Sequence, residues 1–380
     1  MTGVTIMNDF VEKWLRRFEE APLLVFWEST KACPLACKHC RAEAIPNPLP
    51  GELSTEEGKE LIKQVSEFGK PTPTIIITGG DPLVRKDLFE LIKYAGELGV
   101  PTGVAPAVSP NLTRETLNKL RSLGVRALSI SLDGATADVH ENMRQVEGNY
   151  EATVKAIKTA VDTGLTVQVN TVVWRRNVHQ LPHVVKLLKE IGVKIWEVFF
   201  LIVTGRAVAE LDITPTEYED VLHFLAEVSR YGIQVRTVEA PFYRRVKIEE
   251  SNGVKYSGYL YRELVTKLRE LLGEPSSELD TRFMPTRDGL GIIFIAYDGT
   301  VYPSGFMPYP LGNIRKTNLV EIYRNHPLLI KMRNAEFKGR CGVCEYRRIC
   351  GGSRARAFSR YGDPLETDPA CIYQPGGGLI

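Results

Sequence analysis

Three cysteines fall within eight residues, Cys33, Cys37 and Cys40, in the stretch ESTKACPLACKHCR that runs from Glu28 to Arg41 with C-x3-C-x2-C spacing. An odd number of thiols cannot close into a complete set of local disulfides, so this group points to a metal. A 4Fe–4S cluster normally takes four Cys thiolates. A loop that supplies three leaves one iron open, and an open iron is where a small molecule can be chelated and reduced. The remaining cysteines, Cys341, Cys344, Cys350 and Cys371, lie near the C-terminus as C-x2-C-x5-C with Cys371 beyond a further 20 residues. Four ligands suffice to close a 4Fe–4S cluster, although zinc also accepts four thiolates. Usage as three plus four, with none left over, predicts metal clusters in a reducing compartment and an intracellular, cytoplasmic chain.

Around these groups the chain alternates. Apolar, β-branched runs at 23–27, 74–77, 102–106, 127–132, 166–173 and 195–203 predict strands, and amphipathic stretches at 54–68, 86–98, 113–123, 152–163, 179–191 and 216–231 predict helices. Ser54 and Glu57 form a capping box. Six strands each followed by a helix imply a parallel α/β sheet with crossover helices, two units short of a closed eight-unit barrel. In such sheets the working residues sit at the C-terminal strand ends. The charge is nearly balanced, 48 basic against 46 acidic residues, so no net field favours nucleic acid or an anionic membrane. No apolar run has the length of a spanning helix.

Several of these features together resemble the radical S-adenosylmethionine (SAM) superfamily. The Cys loop resembles its cluster loop, in which an aromatic residue precedes the third Cys, here His39. The resemblance implies a partial (β/α)6 barrel, a 4Fe–4S cluster on Cys33, Cys37 and Cys40, and SAM on the free iron, cleaved by one electron to methionine and a 5'-deoxyadenosyl radical. Thr78-Gly79-Gly80-Asp81-Pro82 looks like the family segment that receives the SAM amino group; glycines let backbone approach closely, and Asp81 would accept from the ammonium. Ser131, in Ser131-Leu132-Asp133-Gly134, matches a residue beside the SAM methionine and ribose. Arg144 matches an arginine used on the SAM carboxylate, and Asn170, Thr204 and Gly205 lie where relatives hold ribose and adenine.

The 291–303 segment, split by Asp298-Gly299, predicts a β-hairpin. Hairpin, Gly312-Asn313 turn and C-x2-C-x5-C resemble the SPASM auxiliary-cluster domain in its shortened "twitch" form, a small α+β unit. Ser304 and Ser353 stand where a full SPASM domain has Cys, so the resemblance implies one auxiliary 4Fe–4S cluster, on Cys341, Cys344, Cys350 and Cys371. The expected divisions are an N-terminal helix (1–21), a radical SAM core (22–235), a connecting substrate segment (236–289) and the twitch domain (290–380). In the connecting segment, which breaks the βα rhythm, Glu239, Tyr243, Arg244 and Arg245 pair cations with aromatics and suit an anionic, planar substrate.

Cys341-Gly342-Val343-Cys344-Glu345-Tyr346-Arg347 and the run from Cys350 to Ala357, with Phe26-Trp27-Glu28-Ser29-Thr30 and Cys40-Arg41-Ala42-Glu43-Ala44, are similar to the haem-pathway radical SAM enzymes (didecarboxysiroheme deacetylase, iron-coproporphyrin decarboxylase and their haem d1 relatives), a similarity that runs from 22 to 375. The chain is also similar to a sister group carrying GGSRARA, as at Gly351 to Ala357. A tetrapyrrole substrate follows from the haem branch, with a low-potential donor such as ferredoxin or flavodoxin. Modification of a peptide or a metallopterin, and a non-catalytic two-cluster electron carrier, are the other readings. The carrier has no need of a SAM pocket.

Overall fold

The computed structural model describes residues 9–376 together with 378 and 379, so the first eight residues of the expected N-terminal unit lie outside the described residues. Among the described residues ten strands make one sheet. Strands β1 (Leu24–Glu28), β2 (Thr74–Thr78), β3 (Thr102–Val104), β4 (Ala127–Ser131), β5 (Val167–Val173), β6 (Ile195–Phe200) and β7 (Gln234–Val238) run parallel in chain order. Strands β8 (Ile292–Ile295), β9 (Thr300–Tyr302) and β10 (Gly312–Asn313) extend the other edge.

Alternation along each strand sorts the two faces. Val25 and Trp27, Ile75 and Ile77, Leu128 and Ile130, and Trp196, Val198 and Phe200 are buried beneath the helices. The intervening residues, among them Phe26, Ser129, Ser131, Asn170, Glu197 and Phe199, are half-buried on the inner, concave face. All six expected strands are present.

The reading of 236–289 changes. The βα rhythm continues there, because Gln234–Val238 is a seventh parallel strand on β6 and Tyr243–Ser251 is a helix. The strand's polar alternation, QVRTV at a sheet edge, hid it. The 276–287 connection is tied down. Ser277 N–H donates to Arg230 O (3.0 Å) and Lys247 Nζ to Arg282 O (2.6 Å). The hairpin forms as expected, but β8 also pairs in parallel with β1, Phe26 opposite Phe294. Two short helices follow the hairpin, Leu319–Asn325 and Pro327–Arg333, since Pro327 cannot continue the first.

The first helix (Asp9–Glu20) and the C-terminal region meet over Tyr323, whose ring sits edge-on to Phe68. Its hydroxyl donates to Phe18 O (2.7 Å) and accepts from Gly291 N–H (3.3 Å), all fully buried. Tyr323→Phe strands a buried carbonyl and a buried N–H, so chemical denaturation should show a loss of about 1–3 kcal/mol with unchanged iron content.

Candidate active site

The loop after β1 carries Cys33, Cys37 and Cys40, all reduced, the first two buried. Its backbone is stitched to the end of β2. Gly80 N–H donates to Thr30 O and Asp81 N–H to Ala32 O, both at 2.7 Å. A Cβ on Gly79 (φ +141°) would lie 2.4 Å from Thr30 O, and one on Gly80 2.2 Å from Ala32 O. The close approach that needs two glycines is therefore to the cysteine loop itself. On the opposite side Gly205 (φ +57°) allows no Cβ, which would meet Cys40 O at 2.4 Å. The next residue, Arg206, donates to Cys37 O (2.9 Å) and Ala44 O (2.8 Å). Glu52, which gathers Thr30 Oγ1 and the Lys31 and Leu49 N–H groups, was not singled out from sequence, where it is one acidic residue among several with no local signal.

Asp81 is held by protein groups. It is fully buried, its Oδ1 accepting from Leu83 N–H (3.1 Å) and Ala107 N–H (3.3 Å) and its Oδ2 from Ser109 Oγ (2.7 Å). These three donors tie the β2 end to the segment after β3. Arg144 likewise has a partner. Its Nη2 lies 2.6 Å from Asp133 Oδ2, and its Nη1 lies 3.7 Å from Cys37 Sγ. Burial alone would raise the Asp133 pKa, but Arg144 and His39 outweigh it and hold the carboxyl below its usual range. Arg144 is thus a fixed cation beside the cluster loop, with its buried Nε unpartnered.

His140, also fully buried, accepts from Asp133 N–H at Nδ1 (3.0 Å), which leaves the Nε2 proton facing Asn149 Oδ1 (3.0 Å). Burial, then Arg144, lowers its pKa.

Ser131 and Asn170 are register partners on β4 and β5, half-buried on the inner face. Asn170 Oδ1 accepts from Gln168 Nε2 (2.9 Å), which also donates to Glu197 Oε2 (2.7 Å). Arg236 Nη1 donates to Gln168 Oε1 (3.2 Å), so polar groups of β4 to β7 form one network on that face. Thr204 is half-buried beside Gly205.

Leu35 N–H and Ala44 N–H point at Cys33 Sγ (3.4 Å) and Cys40 Sγ (3.5 Å). Burial pushes Cys33 up to about 12 and raises Cys37, so these thiols keep their protons until a metal replaces them. Three soft sulfur donors, two with N–H groups aimed at them and one beside a guanidinium, suit an iron–sulfur cluster. The second group lines one pocket: Cys341, Cys344, Cys350 and Cys371 with Gly351, Gly352 and Tyr373. Among the described residues no three Cys, His, Asp or Glu side chains are drawn together as for a single ion; the four thiols ring the pocket wall. Gly352 N–H donates to Cys350 Sγ (3.4 Å) and Asp368 N–H to Cys341 Sγ (3.5 Å). Ser353 caps the helix Arg354–Tyr361 through Arg356 N–H (3.0 Å), a structural use for the hydroxyl found where a full SPASM domain has Cys.

The expected substrate contacts Glu239, Tyr243, Arg244 and Arg245 are not on an open surface. All are buried between the helix Tyr243–Ser251 and the C-terminal region. Arg245 is held by Glu219 (2.5 Å) and Glu249 (2.5 Å). Arg244 donates to Ile349 O (2.6 Å) and to Thr286 O. Glu239, with φ +60°, hydrogen-bonds Ser353 Oγ. A pair of arginines reads as a surface feature in sequence, yet here the carboxylates that neutralise Arg245 come from two helices.

The loop geometry sets two expectations. Gly80→Ala should cost the first group its iron while the second keeps its own, halving iron per chain from about eight to about four. His140 is neutral when folded, so its contribution is fully present above its unfolded pKa near 6.5 and is lost as pH falls towards the lower folded value. Unfolding free energy measured from pH 8 to 5 should carry this component, at most about 1.4 kcal/mol per pH unit, and His140→Gln should remove it.

Comparison with known proteins agrees with this geometry. Residues 27–188 match the Radical SAM superfamily and 288–346 match SPASM, an iron–sulfur cluster-binding domain. The chain is 37% identical over 367 residues to the AdoMet-dependent heme synthase of Methanosarcina barkeri, covering 94% of this chain and 98% of that one. It is 30% identical to the Fe-coproporphyrin III synthase of the same organism, covering 92% and 85%. A solved structure of anSMEcpe with bound AdoMet shares the fold, with a TM-score of 0.65 and 18% identity over 92% of this chain and 93% of that one. No helix among the described residues is long and apolar enough to cross a membrane. A Cys loop clamped at the C-terminal mouth of a parallel sheet, a second thiol-lined pocket and relatives alike along their whole length place this enzyme in the radical SAM superfamily, within the SPASM-bearing branch that holds the AdoMet-dependent haem synthases.

Proposed function

We propose that this radical SAM enzyme modifies a tetrapyrrole, acting on a carboxylate-bearing side chain. The observation that carries the reading is the near end-to-end likeness to an AdoMet-dependent heme synthase. We assign the SAM-binding 4Fe–4S cluster to Cys33, Cys37 and Cys40 and the auxiliary cluster to Cys341, Cys344, Cys350 and Cys371. Gly79, Gly80 and Gly205 would shape the cluster loop, Arg144 would stabilise it electrostatically, and Ser131, Asn170 and Thr204 remain for SAM. When bound, the cluster and SAM supply a 5'-deoxyadenosyl radical that abstracts hydrogen from substrate; a ferredoxin or flavodoxin is the proposed donor. The proposed divisions extend the core to 22–238, so that it includes all of β7, and keep 290–380 as the auxiliary-cluster unit.

The inner face supports a flat, anionic substrate. Phe26, Phe294 and Tyr302 share that face by register, and Phe199 packs on Phe306 with centroids 6.1 Å apart. Arg41, next to Cys40, holds its guanidinium 4.5 Å from the Phe294 ring centre and 2.9 Å from Glu28. The half-buried rings of Phe26, Phe199, Tyr302 and Phe306 would offer a macrocycle stacking surface, and Arg41 would exchange Glu28 for a propionate through its planar donor set, in place of the buried Arg244 and Arg245.

Anaerobic reconstitution should give about eight irons per chain and, with dithionite and SAM, 5'-deoxyadenosine. Titration with iron-coproporphyrin should then show saturable binding that Arg41→Met weakens roughly tenfold or more, about 1.4 kcal/mol. Cleavage of SAM without porphyrin binding would leave the enzyme class standing and remove the tetrapyrrole.

A further inference from the structure

Behind the wall of the second thiol pocket, which itself carries Arg340 and Arg347, three buried arginines stand without a carboxylate of their own. Arg244 is bonded to the carbonyls of Ile349 and Thr286. Arg287 donates to Arg348 O and Met332 O, each at 2.9 Å. Arg354 donates to Gly352 O (3.2 Å), Pro364 O (3.0 Å) and Glu366 O (2.7 Å), and its Nη2 stands 3.5 Å from Cys341 Sγ. Their exposures are 8%, 4% and 0%. Neighbouring Arg245 and Arg356 do have carboxylates, Glu219 with Glu249 and Asp368.

The acidic groups nearby are engaged elsewhere. Asp288 accepts from the backbone N–H groups of Arg354 (3.0 Å) and Ala355 (2.9 Å). Asp368 takes Ser353 N–H and Arg356, Glu239 takes Ser353 Oγ, and Asp363 takes Lys338.

The glycines after Cys350 make room for the cations. A Cβ on Gly351 (φ +70°) would lie 3.0 Å from Arg287 Nε, itself buried and unpartnered. One on Gly352 (φ +67°) would lie 2.6 Å from Arg354 Nη2 and 3.2 Å from Cys341 Sγ. Both guanidiniums also face the Phe337 ring, at 5.4 and 4.5 Å from its centre.

A buried cation without a counter-charge is strongly unfavourable. A 4Fe–4S centre held by four thiolates is an anion, and reduction adds one more negative charge, so nearby cations favour the reduced form. We propose that Arg244, Arg287 and Arg354 are the built-in counter-charge of the auxiliary cluster, holding its reduction potential high and making the C-terminal fold depend on its presence.

The test uses the full chain with Cys33, Cys37 and Cys40 all replaced by Ala, so that only the auxiliary cluster contributes a paramagnetic signal. Anaerobic redox titration followed by electron paramagnetic resonance gives its midpoint potential. Arg287→Met, and separately Arg244→Met and Arg354→Met, should shift the potential negative, while Arg287→Lys, which keeps the charge, should restore most of the shift. Thermal unfolding supplies a second readout. Arg287→Met should lower the melting temperature of the cluster-loaded chain and raise that of the chelator-stripped chain, whereas a merely structural arginine would lower both. Unchanged potentials in all three Met variants, or equal loss in loaded and stripped forms, would overturn the proposal. The inference rests on the ligand assignment of the second Cys group; a parent chain that fails to hold about four irons refutes that assignment and the proposal with it.

Discussion

The close backbone contact between the end of β2 and the loop after β1 is the constraint on which the active site depends. Two N–H groups of Gly80 and Asp81 pair with the carbonyls of Thr30 and Ala32 at 2.7 Å, and no side chain fits between them. That contact fixes the cysteine loop relative to the sheet without using a cysteine. Gly205 and Arg206 clamp the same loop from β6. The sulfurs are therefore presented by a scaffold of backbone contacts, which is how a site gains precision from rigid elements rather than from its ligands.

Much of this was legible in the chain. The strands announced themselves through β-branched runs, and the helix of 54–68 through its capping box, which forms between Ser54 and Glu57. The strand-end glycines lie against the first cysteine loop, and the second cysteine group lines one pocket. What sequence could not give was the destination of charges. Asp81, Arg144, Arg244 and Arg245 all have the residue types that ligand sites use, and each is bonded to a protein group distant in sequence or shaped by local turns. Local pattern has no access to such partners. Strand β7 was missed because an edge strand with polar alternation looks like loop, and its helix because Tyr243–Ser251 buries arginines on the side where apolar residues are expected.

The two thiol groups differ in how far the nearby cations are paired. Near Cys37 the cation Arg144 is balanced by Asp133, while Arg206, bonded to the loop's carbonyls, has no carboxylate of its own. Around Cys350 and Cys341 the guanidiniums outnumber their carboxylates. Neighbouring charge is one of the levers a protein has on an iron–sulfur centre, so two clusters of one type can be given different electronic duties by residues that never touch iron.

The pairing of β8 with β1 has a consequence for biogenesis. The first strand emerges early from the ribosome, yet one of its two neighbours lies most of the chain away. Until that late segment arrives, β1 keeps an unsatisfied edge directly beneath the cysteine loop. Contacts so distant in sequence form slowly and raise the exposure to misassembly. Maturation of the two metal centres is thereby tied to completion of the polypeptide, and a nascent chain truncated before 292 would present sticky backbone at the very place where iron has to be delivered.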